Sequence, residues 1–567
     1  MAREKKLLSR KDVESRIAEG QSLIIVEGEV LRVDSWLDKH PGGDTAIRHM
    51  IGRDATDEVN ALHSAGTRQR MRNFAIGRIE GAWDNFVPPI QYGKFRTLKE
   101  IEEEEASMVD DCVVDSCSTG STDSVSSVSC DDKPFDDFLL DPAVRRRRGQ
   151  KFGGSEGSVT SLSSLSSNEF ATETKPDHYS IDKQTYKELE KDRVIYPSTD
   201  VFTQREIARK YRDLEQKIKD EGLFQCNYWA YARECTRYIL FISTSLILLH
   251  FGWYKLSACF LGAFWHQLTF TAHDSGHMGI THNFTVDTCI GIFIADFLGG
   301  LSLGWWKRNH NVHHIVTNSV DHDPDIQHIP FFAISHRFFN SIYSTYYKRT
   351  LPYDAVAKFF IPFQGYLYYP VLCFGRFNLY RLSWEHLIRG LGPKKGTAAW
   401  HRYLELFGLV VFWYWFGYAL VYKSIEGGWN KFWFVMISHA ITMPLHVQIT
   451  LSHFAMSTSD LGPQESFAQK MLRTSMDVDC PEWLDFFHGG LQFQAIHHLY
   501  PQIPRHNLRR TQKLVMEFCK ETKIPYAIYG FYDGNKEIIG RLAEIGKQAR
   551  IFAECQNALA SGEVEGH

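Results

Sequence analysis

The 567-residue chain carries 63 Lys and Arg against 67 Asp and Glu, a formal net charge of −4. That balance argues against a general nucleic-acid binder, and the length leaves room for several domains. Mean hydropathy is slightly negative although long apolar runs are plain, so soluble segments are joined to a membrane-embedded one. Eleven cysteines are scattered without C-x-x-C pairs, which fits free thiols in a reducing compartment. The first twenty residues, MAREKKLLSRKDVESRIAEG, lack an apolar core and do not read as a cleaved signal peptide, so internal spans are expected to do the targeting.

Residues 7–83 form the first expected domain. Apolar positions alternate over residues 23–33, and His40 sits in His-Pro-Gly-Gly, where proline fixes a turn and the glycines let backbone pass close to a bulky group. His63 follows 23 residues later, after a helical stretch. Two histidines on separate short helices can grip a flat macrocycle from both faces, and six-coordinate iron suits electron transfer because no position is left for oxygen. HPGG, DATDEV and the second histidine together resemble a cytochrome b5 domain, and the resemblance implies His40 and His63 as axial ligands of haem b. Two other readings stay open: a haem-free binding module of the same fold, or a different pair that includes His49.

Residues 98–177 turn acidic and rich in Ser and Gly, with Arg145, Arg146, Arg147 and Arg148 in the middle. Such text cannot bury enough apolar surface to offset its ordering entropy, and a disordered linker is expected. The arginines could attract anionic headgroups, or simply be solvated. Residues 178–230 return to charged, helical text, an amphipathic lead-in on the cytosolic side or a plain surface helix.

The membrane domain is expected over residues 231–540, with 541–567 as a tail. Residues 235–254 and 256–272 are apolar runs parted at Lys255, and residues 404–422 and 431–451 repeat the pattern across KSIEGGWN. Each approaches the roughly 20 residues of a bilayer crossing. The expected fold is thus an α+β amino-terminal domain followed by an all-α membrane domain with four transmembrane helices in two hairpins. Residues 284–306 carry Asp287 and Asp296, and residues 355–374 carry Pro362 and Pro370, so both read as interfacial or half-buried helices.

Three histidine clusters border these runs: His273 and His277; His310, His313 and His314; and Gln494, His497 and His498. On a helix, positions i, i+3 and i+4 share a face, so each cluster can converge on a point. Imidazole suits iron, copper, zinc and nickel, and seven histidines with a glutamine exceed the four ligands of one tetrahedral zinc. Two metals sharing the set is the economical reading. His439, His446 and His453 recur every seven residues along the last run; His453, at its cytosolic end, is placed to join the metals, while His439 and His446 read as hydrogen-bonded core or substrate-path residues.

The order H-x-x-x-H, H-x-x-H-H, Q-x-x-H-H resembles the membrane fatty-acyl desaturases, and the leading glutamine with the fused amino-terminal domain marks their front-end branch. That resemblance implies a di-iron site that uses O2 and NADH-derived electrons, which an external cytochrome b5 reductase passes through the fused haem. It implies iron ligation by His273, His277, His310, His313, His314, His497 and His498, with His453 as an added ligand and Gln494 as a weak or water-mediated one. Asp274, Asp321, Asp323 and Asp325 are acceptors suited to orienting ligand imidazoles, and His282 and His322 belong beside the ligands rather than among them. Trp305, Trp306 and residues 366–369 are candidate liners of the lipid path, or an interfacial aromatic belt. The third box has Ala495 and Ile496 where front-end members usually have Ile and Glu. The surrounding sequence looks most like the fungal sphingolipid Δ8-desaturases, which implies ceramide as substrate and a multi-pass protein of the endoplasmic reticulum membrane; the two hairpins and the Lys- and Arg-rich segments beside the boxes put boxes and haem on the cytosolic side. Three alternatives remain at this point: a Δ5 or Δ6 acyl-lipid or acyl-CoA desaturase, a haem-fused di-iron hydroxylase, and a non-catalytic haem-binding membrane scaffold.

Overall fold

The computed structural model describes residues 6–116 and 177–561. The amino-terminal domain is built on a four-stranded sheet in the order β1-β4-β3-β2, from β1 (Leu7–Leu8), β2 (Leu23–Val26), β3 (Glu29–Arg32) and β4 (Ala75–Ile79). The alternation over residues 23–33 folds as a hairpin, turned at Glu27 and Gly28, both with positive φ. Helix α1 (Arg10–Ala18) covers one face; Ser9 opens it with a capping box to Asp12. On the other side, α2 (Asp44–Arg48), α3 (Thr56–Leu62) and α4 (Ala65–Met71) carry the HPGG turn and His63. Trp83, Phe86 and Phe95 pack on the sheet side.

The expected disordered linker begins as a helix, α5 (Leu98–Ser116). Thr97 and Glu100 exchange hydrogen bonds across its first turn, and the following Glu run favours helix, which outweighs the polarity that suggested disorder. The rest of that segment, including the four arginines, lies outside the described residues. Helices α6 (Asp177–Ile195) and α7 (Val201–Asp220) follow. Ile207, Tyr211, Leu214 and Ile218 give α7 one buried stripe.

Helices α8 (Tyr228–His250) and α9 (Tyr254–Gly276) form the first hairpin. The turn falls at residues 251–253, not at Lys255, because Gly252 supplies the positive φ that ends α8. Helix α10 (Phe284–Ile292) runs on to Leu298, breaks, and is followed by α11 (Leu303–Val316) at a bend of 118°. The break contains Gly300, whose positive φ and close approach to the Phe412 ring leave no room for a side chain.

Among the described residues, His401–Lys423 and Gly428–Leu451 are long and apolar enough to cross a membrane, and the bent pair makes a third if it counts as one span. Helix α12 (His401–Phe412) opens the first of these; α13 (Gly428–Ala440) and α14 (Met443–Leu451) make up the second. Large apolar side chains face outward on both hairpins: Ile239, Leu240, Leu246 and Ile247 on α8, Phe407 and Val410 on α12, Phe432 and Trp433 on α13. The stretch with Pro362 and Pro370 is a broken run, Ala355–Phe360 then Gln364–Leu372.

Beyond the hairpins come the short helix α15 (Gln494–Leu499) and α16 (Leu508–Thr522), which packs on α7. The expected tail begins inside α17 (Phe531–Ser561), whose Ile538, Leu542, Ile545 and Ala549 are fully buried. Burying them at roughly 1.5–3 kcal/mol per large side chain explains why this end is ordered. Its polar residues hid a stripe recurring every three to four positions.

The candidate metal centre and haem site

Four elements bring the three clusters together. His273 and His277 end α9, His310, His313 and His314 project from α11, and His497 and His498 lie on α15. His453 follows α14. Two groups result. The ligand atoms of His273, His277, His310 and His497 lie within 4.8 Å of one another, and so do those of His313, His453 and His498. Opposite ligands of one ion lie about 4 Å apart at metal–nitrogen bonds of about 2 Å. His314 sits between the groups, its ring 4.8 Å from that of His277 and 4.3 Å from that of His498.

The donor chemistry fits metal ions. His313 Nδ1 is held by Asp323 at 2.8 Å and His453 Nδ1 donates to the Thr474 carbonyl at 3.2 Å, which leaves each Nε2 for a ligand. The Nε2 atoms of His273, His277, His497 and His498 and the Oε1 of Gln494 are buried without a protein partner. So many buried unpaired acceptors would be costly unless an ion or water completes them. Burial first, then the neighbouring imidazoles, hold His497 and His498 well below the usual imidazole range, so both are neutral and free to ligate.

The expected supporting residues divide. Asp323 also accepts the Asn318 amide at 2.7 Å, and Asn318 donates to the His453 carbonyl at 2.9 Å, so one carboxylate fixes ligands on two elements. Asp325 lies 3.5 Å from His310 Nδ1 and pairs with Asn309; burial opposes its charge, but His313 and His310 hold its carboxyl low. Asp321 orients no ligand imidazole, and Asp274 reaches His273 Nδ1 only at 3.9 Å, beyond hydrogen-bond distance. Asp321 pairs with Arg337, and Asp274 accepts from Tyr231 at 2.5 Å and pairs with Arg505. His282 bonds the Phe224 carbonyl and His322 bonds Thr345, outside both groups. His439 is hydrogen-bonded core, between the Val435 carbonyl and Tyr380, and the His446 ring packs on Gly375. Trp306 stacks on His310 at 4.6 Å, so it braces ligands; Tyr366 is exposed, and Tyr368 and Tyr369 bond Thr450 and Asn535.

The sequence reading missed Arg505. Just after the third box, it is buried and pairs with Asp274 of the first box and Glu234 of α8, with Thr271 at 3.0 Å. It therefore locks two boxes together. Arg505→Met strands two buried carboxylates and should cost about 3–5 kcal/mol, read as a lowered melting temperature in detergent. Asp477 was also missed; it accepts the Ala495 amide at 2.8 Å and pairs with Tyr526, which steadies the start of α15. Only the buried setting of these residues, invisible in the text, marks them.

In the amino-terminal domain the His40 and His63 rings lie 6.0 Å apart. That is about the spacing of two imidazoles bound to opposite sides of one metal atom, at ~2 Å per bond. His40 Nδ1 is 2.7 Å from the Gly43 carbonyl and His63 Nδ1 is 3.2 Å from that of Val59, so both Nε2 atoms are left to ligate. Leu31, Val33, Ala46, Met50 and Val59, with Met71 and Phe74, supply apolar walls. His49 is not part of the pair; its Nδ1 is 2.8 Å from Gln91 and its ring faces His322. Burial drives the His63 pKa from 6.5 down to about 3. The unfolded chain then takes up a proton that the folded domain refuses, so this contribution to stability is full above pH 6.5 and is lost as pH falls toward 3. In haem-free protein the melting temperature should fall across that window and not above it.

Residues 251–530 match the fatty acid desaturase family model, and residues 9–80 match the cytochrome b5-like heme/steroid binding domain. The chain is 58% identical over 559 residues to a protein of Emericella nidulans named Delta 8-(E)-sphingolipid desaturase, with 98% of each chain covered. A Candida albicans protein of the same name is 48% identical, covering 97% of this chain and 98% of its own. The chain belongs to the fatty acid desaturase family. A Helianthus annuus relative named Delta(8)-fatty-acid desaturase is 36% identical over 61% of this chain and 75% of its own. The desaturase is thus an oxidoreductase with a fused haem-binding domain and a membrane-embedded catalytic domain.

Proposed function

We propose that the protein introduces a double bond at C8 of the long-chain base of ceramide, with electrons passed through its own haem domain. The observation that carries this reading is the pair of buried histidine groups joined by His314, in a chain nearly half to three-fifths identical over its full length to the sphingolipid desaturases above. In this reading His273, His277, His310 and His497 hold one iron, His313, His453 and His498 the other, His314 completes the set between them, and Gln494 contributes weakly or through water. His40 and His63 hold haem b.

Bound iron supplies the dioxygen-activating chemistry that an unactivated methylene requires. The chain's own part is to keep the imidazoles neutral and oriented. Asp323 and Asp325 accept the outward N–H groups of His313 and His310, Trp306 braces His310, and the Arg505 network fixes the first box against the third. Each turnover needs two electrons and a b-type haem carries one, so a flavoprotein of the cytochrome b5 reductase class would reduce the haem twice.

The outward-facing apolar side chains of α8, α12 and α13 support four crossings in two hairpins, with residues 7–83 and the boxes of the 231–540 domain on the cytosolic face of the endoplasmic reticulum membrane. Mass spectrometry of ceramide bases, from a host that lacks this activity, tests the reading. Expression should yield a base two mass units lighter with its double bond at C8. Altered fatty acids with unchanged bases would make the protein an acyl desaturase, a gain of one oxygen a hydroxylase, and no change in any lipid a scaffold.

A further inference from the structure

Helix α11 carries two stripes. His310, His313 and His314 lie on one; Arg308, Asn311, Val312 and Ile315 lie on the other, about half a turn away at 3.6 residues per turn. The second stripe faces the amino-terminal domain. Val312, Ile315 and Val316 join the same buried cluster as Leu31, Val33, Ala46, Met50 and Val59, the apolar walls around His40 and His63. The HPGG turn rests on this face, because a Cβ at Gly42 would overlap the Asn311 amide and one at Gly43 would press on Arg308 at 3.0 Å. A second bridge joins the His63 side to the third box: Gln502, four residues after His498, donates to the Ala61 carbonyl at 2.9 Å. Away from both sites, Arg212 of α7 pairs with Asp57 of α3 at 2.6 Å, and Asn85 donates to the Pro463 carbonyl at 2.9 Å.

We propose that α11 is a wall shared by the haem crevice and the metal centre, and that the haem domain reduces the metal centre from this docked position. Val312 and Gln502 act as positioning residues. With iron in both sites, each transfer would oxidise ferrous haem, held by His40 and His63, to ferric and add one electron to the metal centre held by the box histidines. Two such transfers, with two protons and one dioxygen, accompany the removal of two hydrogens from the lipid and the release of two waters. This rests on the reading that both sites hold iron.

The test follows the haem absorbance of the full-length protein, reduced with dithionite under argon and mixed with aerated ceramide vesicles. Val312→Glu places a charge in the shared wall and should slow re-oxidation of the haem tenfold or more, with haem spectrum and non-haem iron content unchanged. Arg212→Asp should slow it several-fold, and Asp57→Arg together with Arg212→Asp should restore it. If Val312→Glu loses iron, the Arg212 series, remote from the ligands, decides alone. Re-oxidation at the wild-type rate in Arg212→Asp, or a slowed rate that the double exchange leaves slow, would overturn the proposal. A wild-type protein without non-haem iron, or whose haem re-oxidation ignores the lipid, would instead sink the functional reading.

Discussion

Replacing His313 with Ala should reduce C8-unsaturated base by at least a hundredfold and lower non-haem iron, while leaving the haem spectrum intact. The residue is the hinge of the second ligand group. Its ring lies 4.6 Å from that of His453 and 4.8 Å from that of His498, and Asp323 holds its outer nitrogen. Removing it strips a group of three histidines of one member and leaves a buried carboxylate facing a void. Asp323→Asn should be milder, a loss of about 10–100-fold, the range for a partner that orients a ligand without touching the metal. Iron analysis beside lipid profiling separates the cases. Full activity in His313→Ala would mean that these groups are not the catalytic centre.

His63→Ala should abolish NADH-driven desaturation for a different reason. The crevice loses one of two imidazoles facing each other at 6.0 Å, and with it the haem, while every residue of the metal groups stays in place. Iron content at the boxes should therefore be unchanged and the Soret band absent, the reverse of His313→Ala. The two variants together distinguish a relay from a single composite site. Retained haem in His63→Ala would reassign the axial pair.

The convergence of the box histidines was legible in the sequence because helical spacing aims the imidazoles of each cluster to one side, and the facing of His40 and His63 because His40 sits in a distinctive turn and His63 ends the helix that follows. What was not legible depends on partners far along the chain. Asp274 sits inside the first box and looked like an orienting acceptor, yet Arg505, 231 residues away, claims it. The C-terminal helix looked like a polar tail because its buried stripe, Ile538, Leu542, Ile545 and Ala549, has meaning only against the elements that cover it. Likewise Val312 and Ile315, the apolar residues beside the ligands of the second box, had no role legible in the sequence alone; they face the amino-terminal domain.

The account stands on two iron sites beside one haem, so the most direct measurement is total iron against haem in the purified full-length protein from an iron-replete host. Three irons per haem are expected, with His313→Ala falling below three and His63→Ala keeping two without haem. One iron per haem in protein that still desaturates lipid would rule out a two-iron centre.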